Sequence, residues 1–96
     1  MGKLRIGIIG CGSIARGKHV RALLQFPDRC EITALADMQP AAAYSLREDL
    51  LPGAKVYEDF EELLNDPSVD AVHICTPNHS HCEIAVKALN AGKHVM

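Results

Sequence analysis

Short apolar runs alternate with helix-forming stretches along this chain, and that alternation limits its possible folds more than any single residue does. Residues 4–9 are apolar-rich and end at a glycine, as a first strand would. Ile8 and Ile9 are adjacent apolar residues, the pattern of a strand covered on both faces. Residues 13–25 read as a helix with Ala15, Ala22, Leu23 and Phe26 near one face, stopped by Pro27 and Asp28. Residues 32–36 read as a second strand. Pro40 suits the first turn of a second helix running to about residue 51, and Pro52-Gly53 ends it. Residues 55–57 are a short third strand. Phe60, Leu63 and Leu64 then give a third helix its apolar face, and Asp59, Glu61 and Glu62 favour its N-terminal end.

Residues 71–75 read as a fourth strand and residues 79–91 as a fourth helix, with Ile84, Ala85, Ala88 and Leu89 on one face and Gly92 as its C-terminal stop. Residues 94–96 begin a fifth strand, within which the chain is expected to be cut short. The order βαβαβαβαβ predicts an α/β fold: a doubly wound parallel sheet with right-handed crossovers and helices on both faces.

A chain of 96 residues is expected to hold one domain at most. Its 48% hydrophobic and 23% charged residues suit a folded globule and give no sign of disorder. Net charge is −2 with Lys and Arg scattered, so nothing points to nucleic acid or an anionic membrane as partner. No apolar run approaches the roughly 20 residues of a membrane span. The start has no export layout, so a cytoplasmic setting is expected. Cys11, Cys30, Cys75 and Cys82 form no C-x-x-C pair and read as small packed residues.

The chemistry begins at Gly10-Cys11-Gly12-Ser13-Ile14-Ala15, a G-x-G-x-x-A turn directly after a strand and opening a helix. Gly10 lets the chain turn sharply. Gly12 leaves no side chain in the way of a pyrophosphate, and Ala15 lets helix and sheet approach. The free N–H groups and positive end of the helix suit phosphate. The turn alone is a weak signal, but it comes with an acid, Asp37, at the end of strand two and 22 residues beyond Ala15. Its carboxylate suits the ribose hydroxyls of NAD, each charge-assisted bond contributing about 1.5–3 kcal/mol. The same charge opposes the 2′-phosphate of NADP by a gross ~4 kcal/mol at ~4 Å and an effective dielectric near 20, before solvent reduces it. NAD is therefore expected over NADP. Across the crevice should stand the loop Ile74-Cys75-Thr76-Pro77-Asn78-His79-Ser80-His81, because strands one and four are neighbours where the strand order reverses. Pro77 keeps Thr76 extended, and Asn78 suits a helix N-cap.

At this point the sequence resembles the Gfo/Idh/MocA oxidoreductases, a family with a Rossmann-type nucleotide-binding domain. The resemblance rests on the glycine turn with Ile14-Ala15, on His19, and on Ala36-Asp37. Further along it rests on Asp66-Pro67 with Val69-Asp70-Ala71-Val72, on Thr76-Pro77-Asn78 with His81, and on Ala91-Gly92-Lys93-His94-Val95. It implies an NAD(P)-dependent dehydrogenase acting on a sugar, cyclitol or related polyol. It also implies that Thr76, Pro77 and Asn78 line the cofactor near its ribose and nicotinamide end, with His81 touching the same region. By the same resemblance the backbone of Ser13 and Ile14 meets the pyrophosphate, and Met38 lies near the adenosine. Relatives continue with a Glu-Lys-Pro-like segment and a second, substrate-binding domain. The 96 residues are accordingly expected to be the N-terminal part of the nucleotide-binding domain, catalytically inactive alone, and no catalytic residue is assigned.

Other readings stay in view. One is an NAD-binding or assembly module without catalysis, and another is an S-adenosylmethionine-binding domain. His79, His81 and Cys82 lack further ligands nearby, so no metal is expected there. His73 reads as a packed or hydrogen-bonded strand histidine, and His19 lies well past the phosphate end of its helix. The alternative to the packed reading of Cys11 is redox sensitivity, since a nearby helix N-terminus would lower its pKa. The fifth strand would be an open sheet edge with Val95 and Met96 in it, which suggests a homodimer by edge pairing.

Overall fold

Leu4–Ile9 (β1) is the middle of a five-stranded sheet, with parallel partners on both edges. In the computed structural model, which describes residues 3–12, 15–76 and 78–96, the other strands are Cys30–Ala36 (β2), Lys55–Tyr57 (β3), Ala71–Ile74 (β4) and His94–Val95 (β5). The helices are Val20–Leu23 (α1), Pro40–Leu50 (α2), Phe60–Leu64 (α3) and Asn78–Asn90 (α4), with a π-helical turn Ala15–His19 leading into α1. Strand order is β3-β2-β1-β4-β5 and every pairing is parallel. The chain order reverses between β1 and β4, as the alternation predicted. Among the described residues no helix is long and apolar enough to cross a membrane.

Alternation along the strands divides the core in two. Ile6, Ile8 and Leu35 pack with Val20, Ala43 and Leu46 from the first two helices. Ile9, Ala34, Ala36, Val72 and Ile74 pack with Leu63, Leu64, Ile84 and Ala88 from the last two. Gly7 faces this second layer, where an added Cβ would lie 2.7 Å from Leu63 Cδ2, so α3 can press directly on β1. Truncating a fully buried side chain such as Leu46 would remove about 2–5 kcal/mol from either layer. The β1–β2 register slips between Ile6 and Gly7, which leaves Thr33 as the extra residue. Its buried hydroxyl has no hydrogen-bond partner among the described residues.

Two expected helix faces are corrected. The described part of the first helix is a π-turn followed by only four α-helical residues. The wider turn inserts about one extra residue, which rotates the following face by about 100°. Val20 is therefore buried, while Ala22 is exposed and Phe26 is 53% exposed. On α4 the buried stripe is Ile84 and Ala88, with Ala85 half-buried; Leu89 is 61% exposed. This helix packs near the sheet edge, where only a narrow stripe is covered. The second strand begins at Cys30, two residues earlier than expected.

Polar contacts set the connections. The Arg5 guanidinium donates to both oxygens of Asp70 at 3.0 Å, and the Arg5 N–H donates to Asp70 Oδ2 at 2.9 Å, which aligns the starts of β1 and β4. Asp59 caps α3 by accepting from the Glu61 N–H at 2.9 Å. Gly92 turns the chain out of α4 at φ +80°. Lys93, 8% exposed, donates from Nζ to the carbonyls of Asp66 (2.6 Å) and Val69 (2.7 Å), tying β5 to the α3–β4 connection.

Asp66 accepts from the Ser68 hydroxyl, the Tyr57 hydroxyl and the Ser68 N–H. These bonds, the Ser68 hydroxyl foremost, hold its pKa down at about 2. A carboxyl depressed on folding stabilises the fold above its unfolded pKa and loses that contribution as pH falls through the folded one. Stability should therefore decline between about pH 4 and pH 2, and Asp66→Asn should flatten that limb. Urea midpoints measured across the range check this; an unchanged slope in D66N would mean that other groups set the acid limb.

Candidate cofactor site

Three strand ends meet at Gly10. Its N–H donates to Ala36 O at 2.8 Å, and one residue earlier Ile9 O accepts from the Cys75 N–H at 2.7 Å. Gly10 has φ +95°, a region that L side chains rarely enter. An added Cβ would lie 2.8 Å from the Cys75 carbonyl carbon, 2.9 Å from its oxygen and 3.0 Å from Thr76 N. The glycine is thus required for the turn and also for the close approach of the β4 loop. That second requirement adds to the sharp-turn role assigned from sequence.

Gly12 is the opposite case: an added Cβ would meet nothing within 4 Å. The space beside it is open, as a phosphate-approach position needs. Its carbonyl accepts from the Arg16 N–H at 3.0 Å, which begins the π-helical turn, and Ala15 is fully buried beneath it. Arg16 then reaches Asp49 at 2.7 Å and the Ser45 hydroxyl at 2.9 Å, holding the turn to α2. Ser13 and Ile14 lie outside the described residues.

Asp37 is half-buried at the end of β2 and is already engaged. Its Oδ2 accepts from the Cys11 N–H at 2.7 Å and its Oδ1 from the Gln39 N–H at 2.8 Å. The carboxylate is pinned against the glycine turn by two backbone donors. Each of its oxygens keeps further acceptor capacity for a ribose hydroxyl. Met38, next along, is 95% exposed.

The packed reading of Cys11 holds, and the alternative of a lowered pKa is corrected. Its side chain is 3% exposed and faces the core, with Sγ 3.5 Å from Ala36 O. Burial first, and the Asp37 charge second, push its thiol up to about 12. The helix end that would have lowered it is outweighed by desolvation. Only the Cys11 backbone faces the turn.

Across the crevice, Thr76 is half-buried, and its buried hydroxyl oxygen has no hydrogen-bond partner among the described residues. Pro77 lies outside them. Asn78 is the first residue of α4 rather than the flanking cap. His81 is half-buried in the first turn of α4. The structure therefore places Gly10, Gly12, Asp37 and Thr76 at the carboxyl ends of β1, β2 and β4, with Gly10 against the Thr76 backbone and Asp37 bonded to the Cys11 N–H. Open space at Gly12, a fixed carboxylate and an unpartnered hydroxyl fit a dinucleotide.

Sequence reasoning missed two features. Lys93 enters the sequence reading only within the segment that carries the family resemblance, and nothing there foretells its bonds to the Asp66 and Val69 carbonyls. His19 and His73, weighed singly, pack ring to ring at a centroid distance of 4.3 Å. The expectation for His73 holds only for packing, because its Nδ1 is buried and has no partner among the described residues.

Residues 4–96 match the profile of an oxidoreductase family with an NAD-binding Rossmann fold. The chain is 36% identical over 92 residues to inositol 2-dehydrogenase of Salmonella typhimurium, covering 96% of this chain and 27% of that protein. A 3-ketoreductase from Actinomadura kijaniata, solved with NADP and TDP-benzene, superposes with a TM-score of 0.91 at 36% identity. That match covers 99% of this chain and 28% of the other. The WlbA dehydrogenase from Bordetella pertussis, solved with NADH and UDP-GlcNAcA, gives 0.89 at 31% identity, covering 98% and 28%. The chain thus spans under a third of the length of these relatives.

The two glycines make opposed predictions. Gly10→Ala forces a side chain into a left-handed backbone and against the Cys75 backbone, and should destabilise the fold by about 2 kcal/mol or more. Gly12→Ala should shift the urea midpoint little. Equal destabilisation by both would refute this division of labour.

Proposed function

This chain belongs to the Gfo/Idh/MocA oxidoreductase family, and from that premise we propose that it supplies the cofactor-binding part of a dehydrogenase for a sugar, cyclitol or related polyol. Residues 4–96 match that family's NAD-binding Rossmann fold. The finer reading is that residues 1–96 are the N-terminal part of that domain, in a cytoplasmic protein, and bind NAD in preference to NADP. The single observation carrying the cofactor preference is Asp37, held by the Cys11 and Gln39 N–H groups at the end of β2.

In this reading the backbone at Gly10, Cys11, Gly12, Ser13 and Ile14 receives the pyrophosphate. Asp37 accepts from the adenosine ribose hydroxyls, and Met38 lies near the adenosine. Thr76, Pro77, Asn78 and His81 line the nicotinamide end, and the unpartnered Thr76 hydroxyl gains a hydrogen bond there. The bound nicotinamide supplies hydride acceptance and donation. The chain's own residues orient it and exclude its 2′-phosphorylated form through the Asp37 charge. The polyol class rests on relatives such as the inositol dehydrogenase. No residue around the crevice is assigned proton transfer, so the 96 residues are read as inactive alone. A module that holds NAD without catalysis shares the same site, whereas the dehydrogenase and ketoreductase relatives named above speak against an S-adenosylmethionine domain.

Calorimetric titration of this chain with NAD, NADP and S-adenosylmethionine tests the reading. NAD should bind about tenfold or more tightly than NADP, a difference of at least ~1.4 kcal/mol. Asp37→Asn keeps an acceptor but removes the charge, so it should shrink that ratio mainly by improving NADP. Preference for S-adenosylmethionine, or no saturable binding by a folded chain, would overturn it.

The reading also includes self-association. On its outer side β5 has no strand among the described residues, and Met96 continues its ladder by donating to Val72 O at 2.9 Å while 46% exposed. Light scattering of the 96-residue chain should give a dimer mass; a monomer mass over a wide concentration range would eliminate the edge as an interface.

A further inference from the structure

His19, His73 and Cys75 come together on the side of the sheet covered by the first helical segment. His73 and Cys75 are two residues apart on extended chain and so share a side. Cys75 packs against the layer formed by Ile6, Ile8 and Val20. The π-helical turn ends at His19 and lays its ring against that of His73. One ligand atom from each of the three side chains lies within 4.8 Å of the other two.

We propose that these three side chains bind a divalent transition-metal ion of zinc type, with a water molecule as fourth ligand. Two imidazoles and a thiolate are the donors such an ion prefers. Zn–N bonds of about 2.0–2.1 Å and Zn–S bonds of about 2.3 Å put tetrahedral ligand atoms roughly 3.3–3.6 Å apart. The cluster therefore needs to close by at most about an ångström or slightly more. All three residues are half-buried, which leaves an approach for the ion and for a water. The buried Nδ1 of His73 is unpartnered among the described residues, the state of a donor waiting for a ligand or proton.

Burial, and then the neighbouring His19, lower the pKa of His73. Burial raises the Cys75 thiol to about 11, so binding must displace that proton to solvent as the S–metal bond forms. The backbone of Cys75 is itself a close neighbour of Gly10, so the cluster adjoins the glycine turn through that residue. A bound ion would join the end of the π-turn to the start of the β4 loop, next to the crevice but using none of the residues assigned to the cofactor.

Cobalt(II) titration of the reduced 96-residue chain tests this. A four-coordinate site with one thiolate should give a near-ultraviolet sulfur-to-cobalt band and intense visible d–d bands, both abolished by zinc. Cys75→Ser should eliminate the sulfur band. His19→Gln and His73→Gln should each weaken binding by about tenfold or more. If C75S does not fold, judged by circular dichroism, His19→Gln becomes the deciding variant, because it alters a half-exposed helix position. Absence of any band overturns the proposal. So does a band that survives C75S and disappears in Cys82→Ser, which would put the metal at the start of α4. An unchanged affinity in H19Q overturns it as well.

Discussion

The backbone at Gly10 is wedged between two other strand ends, and the crevice exists because it fits there. Its N–H is satisfied by Ala36 on one side, and the Cys75 backbone lies where its side chain would be on the other. Any larger residue would push the β4 loop away and reopen the space between the glycine turn and Thr76. Asp37 depends on the same seating. Its carboxylate is oriented by the Cys11 N–H, a donor that points at β2 only because the chain has already turned at Gly10. A missing side chain thus organises a charge one strand away.

Around that point the polar groups follow a common pattern. Asp70 serves both the backbone and the guanidinium of Arg5. Asp66 serves Ser68 and Tyr57, and its carbonyl is served by Lys93. Asp37 serves two N–H groups. Aspartates at strand ends and in connecting loops take up backbone donors that the parallel ladder leaves over, as buried or half-buried backbone demands. The buried polar atoms without partners, Thr33 Oγ1, Thr76 Oγ1 and His73 Nδ1, are then informative. Thr33 is explained by the register slip in β2. For the other two the described residues offer no such explanation, and both belong to residues assigned to the proposed ligands.

Much of this was legible in one dimension. Strand and helix order, the parallel sheet and the meeting of β1 with β4 all follow from hydrophobic period and connection length, which are local properties with global consequences. Gly10, Gly12 and Asp37 were legible because their spacing carries a physical requirement. The helix faces were less so. No residue in the stretch from Ala15 to His19 announces a π-turn, and one inserted position changes which side chains are buried, so Val20 displaced Ala22. The alternative of a lowered Cys11 pKa failed for a related reason: the sequence shows the helix end nearby but not the core beneath it, and desolvation is the larger effect. The pairing of His19 with His73 is a tertiary contact between residues far apart in the chain, and no spacing rule reaches it.

The strand order also dictates a timetable. β1 is made first and lies in the middle, yet its two edges are completed at very different moments. One is covered by β2 soon after, whereas the other waits for β4, whose register with Ile6 and Ile9 is set only when residues 71–74 arrive. The Arg5–Asp70 contact that aligns those starts joins positions 65 residues apart. On a ribosome adding about 5–20 residues per second, this central strand keeps one open edge for seconds. Until Asp70 emerges, a strand that ends in the middle of the sheet is an open ladder, and a nascent chain must be kept from satisfying it with a neighbour.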